Sequence, residues 1–195
     1  MTICGVKFRA YPTKGQSQKL AQWIGCARVI YNCKVDEDHA NYLRFKETGQ
    51  PSQINQAFSH YKTPERMWLK DCPSQILRNS SVNWFTSKQR FFKKLARNPK
   101  KKHRGQKDSV LLTRELFSFQ QVKKPDGTAI KQLLIGTKKN QIGVLNFVAH
   151  REYDIPKQIV ISKKGKYWFV SFCYEVQDVE KSEEQLLEEY SSLDE

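Results

Sequence analysis

Acidic residues are scarce over most of this chain. Of its 34 Lys and Arg and 20 Asp and Glu, the last 21 residues hold one Lys and nine acids, which leaves 33 bases against 11 acids before position 175. A body so short of counter-charge is not a self-neutralised surface, and it carries the electrostatic footprint of a polyanion binder. Long apolar runs are missing too. The stretches at Leu133 to Ile135 and Val144 to Val148 are far too short to span a bilayer, and no signal-like run opens the chain. No membrane partner is expected, and the cytoplasm is the expected location. The five cysteines, Cys4, Cys26, Cys33, Cys72 and Cys173, are odd in number and never form a C-x-x-C pair. That spacing argues against a disulfide framework and a zinc site. His39, His60, His103 and His150 stand far apart with no spaced Cys or His partner, so no metal is expected. A Ser-His-Asp pattern is absent, and Gly136-Thr137-Lys138-Lys139-Asn140 lacks the spacing of a phosphate-binding loop. No strand-like run presents an Asp of the kind a two-metal nuclease needs. Neither a cofactor nor a catalytic residue is expected.

What is present begins with alternation. Val6, Phe8 and Ala10 fall on one side of a strand and Lys7, Arg9 and Tyr11 on the other. Pro12 ends that strand, and Thr13-x-x-Gln16 reads as a capping box. Leu20, Trp23, Ile24, Ala27, Ile30 and Tyr31 then recur at helical spacing. Gly25, inside this helix, costs about 1 kcal/mol relative to Ala and suggests a close packing contact. Further helical stretches are expected over 36–47 and after Pro51-Ser52 with Ile54, Ala57 and Phe58, and Thr63-Pro64 is expected to start a short turn. The longest is expected to open at Pro73 and to carry Ile76, Leu77, Trp84, Phe91 and Leu95. Beyond residue 107 the chain turns to short β-branched and aromatic runs at 110–122, 129–136, 141–150, 157–163 and 166–176. Pro125-Asp126-Gly127, Lys138-Lys139-Asn140 and Lys163-Lys164-Gly165 read as hairpin turns between them. Trp68, Trp84 and Trp168 read as packing residues.

The densest feature is the run 88–107, which holds ten Lys or Arg and no acid. Its candidate phosphate contacts are Lys88, Arg90, Lys93, Lys94, Arg97, Lys100, Lys101, Lys102 and Arg104. Each phosphate neutralised adds roughly one unit to the salt slope of binding. The plainer alternative is a solvated helix face followed by a flexible basic loop. Lys7 and Arg9, with Tyr11 beside them, and Arg28 on the polar face of the first helix extend the candidate set, although an edge strand protecting itself from aggregation would also carry such bases.

Lys7-Phe8-Arg9-Ala10-Tyr11-Pro12-Thr13 with Gln16, followed by Gly25-Cys26-Ala27-Arg28-Val29-Ile30-Tyr31-Asn32, resembles the opening of OrfB/TnpB-type transposon-encoded proteins, RNA-guided nucleases related to type V CRISPR effectors. Three further stretches agree in order. They are Leu69-Lys70-Asp71-Cys72-Pro73-Ser74-Gln75, then Phe91-Phe92-Lys93 with the basic run, and finally 159–163 with 167–172. The strand runs with the N-terminal strand are expected to make a small barrel or sandwich interrupted by an inserted helical bundle, an α+β fold, and the resemblance implies a wedge-like β-barrel whose helical bundle grips guide RNA and target DNA. It also marks Lys7, Arg9, Tyr11, Gln16, Arg28, Tyr31 and Asn32 as motif positions, all but Tyr31, which also fits a core position, taken as nucleic-acid-binding. Family members cut with three carboxylates of an RNase H-like domain, and many carry a zinc ribbon within it. The chain reaches Glu195 before such a region, so the expectation is the N-terminal half only, not an enzyme by itself.

The expected organisation is a first barrel strand at 1–12, a helical recognition-like bundle at 13–107, the rest of the barrel at 108–176 and an acidic tail or linker at 177–195. The expected partners are structured RNA and duplex DNA, together with a separately encoded or missing RNase H-like domain. The alternative function is a stand-alone, non-catalytic regulator of transposition.

Overall fold

The computed structural model describes residues 2–51, 54–123 and 129–176. The expected acidic tail and the Pro125-Asp126-Gly127 turn lie outside the described residues. The fold is α+β. Strand β1 (Thr2–Tyr11) leads into helix α1 (Lys14–Thr48), two 3-10 segments (Ser59–Tyr61 and Pro64–Asp71) and helix α2 (Ser74–Phe92). Strands β2 (Asp108–Thr113), β3 (Phe117–Lys123), β4 (Ala129–Gly136), β5 (Gln141–Val148), β6 (Gln158–Lys164) and β7 (Tyr167–Val176) follow.

The capping box at Thr13 forms in both directions: the Gln16 amide donates to Thr13 Oγ1 at 3.3 Å and the Thr13 amide to Gln16 Oε1 at 2.9 Å. From there α1 runs unbroken for 35 residues, where two separate helical stretches were expected. No Gly or Pro falls between Gly25 and Gly49 to interrupt it. Gly49 ends it at φ 71, its amide donating to the Phe45 carbonyl at 2.8 Å, the left-handed cap that glycine adopts without a Cβ penalty. Gly25 does not mark a close contact, because among the described residues a Cβ placed there meets nothing within 4 Å beyond the helix's own backbone.

The helix expected after Pro51 does not form over 54–58. Other groups take the carbonyls that its ladder would use: Ser81 Oγ donates to Gln56 O at 2.8 Å and Lys34 Nζ to Ala57 O at 3.3 Å. Helix α2 opens after Pro73 as expected but stops at Phe92. Lys94 is left-handed at φ 59 and the Leu95 amide donates back to Arg90 O at 2.9 Å, so Leu95 leaves the helix and is 67% exposed. Trp84 and Trp168 are buried as expected. Trp68 is not, being 40% exposed on a short 3-10 segment that has only Leu69 to bury.

All strand pairs are antiparallel, in the order β2-β6-β7-β1-β5-β4-β3. The expected run 110–122 is two strands, turned at Arg114 to Leu116. The two halves of the sheet join where Arg9, Ala10 and Tyr11 pair with Val148, Phe147 and Asn146. The edges β2 and β3 do not pair with each other, so the expected barrel is not closed. β2 pairs with β6 and β3 with β4, and the Gly136 amide at the end of β4 donates to Leu116 O in the turn between β2 and β3 at 2.8 Å. The two halves of the sheet still share one core. Phe8, Leu112, Leu133, Ile161 and Phe172 pack there with Leu20, Trp23 and Ile24 of α1 and with Ile76 and Leu77 of α2. Burying such side chains contributes roughly 1.5–3 kcal/mol each. It also fixes which faces of β1 and α1 look outward.

Candidate nucleic-acid interface

With Phe8 and Ala10 committed to the core, Lys7, Arg9 and Tyr11 stand on the opposite face of β1. The antiparallel register sets Arg9 opposite Phe169 and Lys7 opposite Ser171. The Arg9 guanidinium lies 3.7 Å from the Tyr167 ring centroid and 5.3 Å from that of Phe169, and Lys7 Nζ lies 4.3 Å from Phe169. Cations over ring faces are attracted by the ring quadrupole while their outer sides stay free for an anion. Arg9 Nε is buried with no hydrogen-bond partner among the described residues. At Arg9 this strand is not an edge, since β1 pairs there with both β7 and β5, whereas the register with β5 begins only at Arg9 and leaves Lys7 paired on the β7 side. Tyr167 and Phe169 were missed as partners in the sequence; the alternation of β7, with Trp168 and Val170 inward, is the signal that finds them.

A second group of expected contact residues is held internally. Gln16 Nε2 donates to Ile142 O at 3.2 Å and Val144 O at 2.8 Å, tying the start of α1 to β5. Arg28 pairs with Asp108 at 2.8 Å, across 80 residues of chain. Asn32 bonds the main chain of Lys102 in both directions. Lys88 is buried on α2, its Nζ 2.8 Å from Asp38 Oδ2 and 3.0 Å from Asn98 Oδ1. These four side chains tie elements of the fold to one another.

The run itself divides. Lys101 pairs with Asp36 at 2.6 Å. Lys102 is half-buried over the face of Tyr31, a core residue, 3.9 Å from its centroid. Burial, and then the charge of Lys107, lower its pKa from the ordinary lysine value. Arg90, Lys93, Lys94, Arg97, Lys100 and Arg104 are exposed and have no carboxylate partner among the described residues. The arrangement can hold polyanions. Among the described residues no group of three or more His, Cys, Asp or Glu is placed to hold a metal ion, and no helix is long and apolar enough to cross a membrane.

Residues 1–45 match the helix-turn-helix domain family of OrfB proteins of the IS605 type. Over 167 residues the chain is 23% identical to a protein of Escherichia coli (strain K12) named as an RNA-guided DNA endonuclease, InsQ. The opening of the chain is thus similar to that of OrfB-type proteins. The aligned region takes in 85% of this chain but only 39% of the length of InsQ. The residues matched by the helix-turn-helix family fold here as β1 and most of α1, a strand and one uninterrupted helix.

Proposed function

We propose that this chain is an OrfB/TnpB-type protein that holds structured RNA and duplex DNA, and that cutting falls to an RNase H-like domain rather than to these residues. The observation that carries the reading is the exposed, acid-free series Arg90, Lys93, Lys94, Arg97, Lys100 and Arg104. Assembling such a series without a counter-charge is costly, and phosphates relieve the repulsion. In this reading the helical residues 13–107 interrupt a barrel-like β part made of 1–12 and 108–176, and they supply the grip. Lys7, Arg9 and Tyr11 offer a second contact surface, with Arg9 pre-set on Tyr167. Gln16, Arg28, Asn32 and Lys88 act as positioning residues. Selectivity comes from the shape of the RNA more than from base edges, and the work is done in the cytoplasm.

The test is a salt titration of the purified chain against the structured RNA transcribed from its own locus, with an unrelated RNA of equal length beside it. Cognate RNA that stays bound at ~200 mM salt while the control dissociates supports guide-like recognition. Equal, steep loss of both overturns recognition of a particular RNA. Metal-dependent DNA cleavage by the chain alone overturns the non-catalytic half of the proposal.

A further inference from the structure

The C-terminal half of α1 and the end of α2 enclose a groove of about 780 Å³, within the range of roughly 300–1,000 Å³ typical of small-molecule pockets. Its walls are ring-rich. Tyr42 and Phe45 come from α1, three residues apart on one face, and Phe91 and Phe92 from the last turn of α2. Tyr42, Phe45 and Phe92 are 56%, 45% and 59% exposed, and large rings left open to solvent together are the mark of an unoccupied contact.

The charges of the groove are already matched. Asp36 is paired with Lys101 at 2.6 Å and Asp38 with Lys88 at 2.8 Å, so the acids and lysines that line it cancel. Its rim is different. The chain runs from the wall residue Phe92 directly into Lys93 and Lys94, and from the wall residue Pro99 directly into Lys100, all exposed and without carboxylate partners among the described residues. A neutral, aromatic interior beside a cationic rim suits a ligand that is flat and uncharged inside and anionic outside. An unstacked nucleobase on a phosphate backbone has that distribution, whereas a purely apolar peptide segment has nothing to offer the rim.

We propose that this groove takes an unstacked base of a single-stranded nucleic acid, which stacks on Tyr42, Phe45 and Phe92 while the flanking phosphates follow Lys93, Arg97 and Lys100. The proposal rests on reading the chain as a nucleic-acid binder, and it adds unpaired bases to the ligands. Ring stacking tolerates any base because every base has a π-face.

The experiment uses the full chain and fluorescent strands of about ten nucleotides, a length within the site sizes of single-strand binders. RNA, its DNA counterpart, an abasic version of each and the fully paired duplexes are compared by anisotropy. Tyr42→Leu and Phe92→Leu keep apolar volume at exposed positions but remove the ring, and a thermal melt confirms that both remain folded. Each is expected to weaken single-strand binding about tenfold, to leave duplex binding unchanged and to abolish the preference for the strand with bases over the abasic one. Arg97→Ala weakens every ligand. Leucine variants that bind single strands as well as wild type, while Arg97→Ala binds worse, overturn the groove and leave the nucleic-acid reading standing; a protein segment seated on the apolar walls would give that pattern. Leucine variants that lose strands and duplexes alike also overturn it. Failure of the wild-type chain to bind any of these ligands overturns both readings.

Discussion

Asn32 of α1 clasps the main chain of Lys102 from both sides, its Nδ2 donating to the Lys102 carbonyl at 2.9 Å and its Oδ1 accepting the Lys102 amide at 2.8 Å. A single side chain thereby does for the basic loop what a strand partner would do. Asn32→Ala leaves two half-buried main-chain groups unsatisfied and is expected to cost about 2 kcal/mol in urea unfolding. Amide exchange across 98–107 should accelerate in the same variant. Unchanged protection of the Lys102 amide would show that the clasp does not hold the loop.

Lys88 and Asp38 form a largely buried pair between α2 and α1. Removing one partner leaves the other charge uncompensated, so Lys88→Met is expected to destabilise the fold by about 3 kcal/mol. The double variant Lys88→Met/Asp38→Leu should recover most of that loss, because the desolvation cost of both ions disappears with them. A double variant no better than the single one would mean that Asp38 is not the partner that matters.

Gly25 sits inside α1 with open space, among the described residues, where a Cβ would be. Gly25→Ala is therefore expected to raise stability by about 1 kcal/mol, through the smaller entropy loss of alanine in a helix. A fall in the melting temperature would reveal a close approach at this position after all.

Lys102 supplies a pH dependence. Its pKa is lowered in the folded chain by burial first and by Lys107 second, so the unfolded chain binds that proton more tightly. Stability consequently rises with pH over the window between the lowered value and the ordinary lysine value of 10.5, and the penalty for carrying the charge is fully present below that window. Lys102→Met is expected to be the more stable protein near neutral pH, with its advantage shrinking as the pH climbs through the window. A constant difference from neutral to alkaline pH would place the effect of the substitution in packing over Tyr31 instead.

Much of the local structure was legible in the residues. Alternation in Val6 to Tyr11 marks both the core side and the outward side of β1, and Thr13 with Gln16 marks where α1 starts. The runs after residue 107 give the strands, apart from the turn at Arg114 to Leu116. Errors fell where local signals are silent. Pro51-Ser52 looks like a helix start, but the carbonyls that follow it are taken by Lys34 and Ser81, more than 15 residues away in either direction. Leu95 continues the apolar spacing of α2, yet the backbone turns left-handed at Lys94 before reaching it.

The sequence by itself determined the basic body, the acid-free run 88–107, the outward set Lys7, Arg9 and Tyr11, and the motifs that resemble OrfB/TnpB-type proteins. Composition and short-range periodicity are properties of neighbouring residues and survive without a fold. Only the tertiary structure decided which cations stay free and which are used internally. Arg28 meets Asp108, Lys88 meets Asp38 and Arg9 settles on Tyr167 because packing of the shared core fixes where α1, α2, β1 and β7 lie, and pairing between residues so far apart in the chain follows from that placement alone.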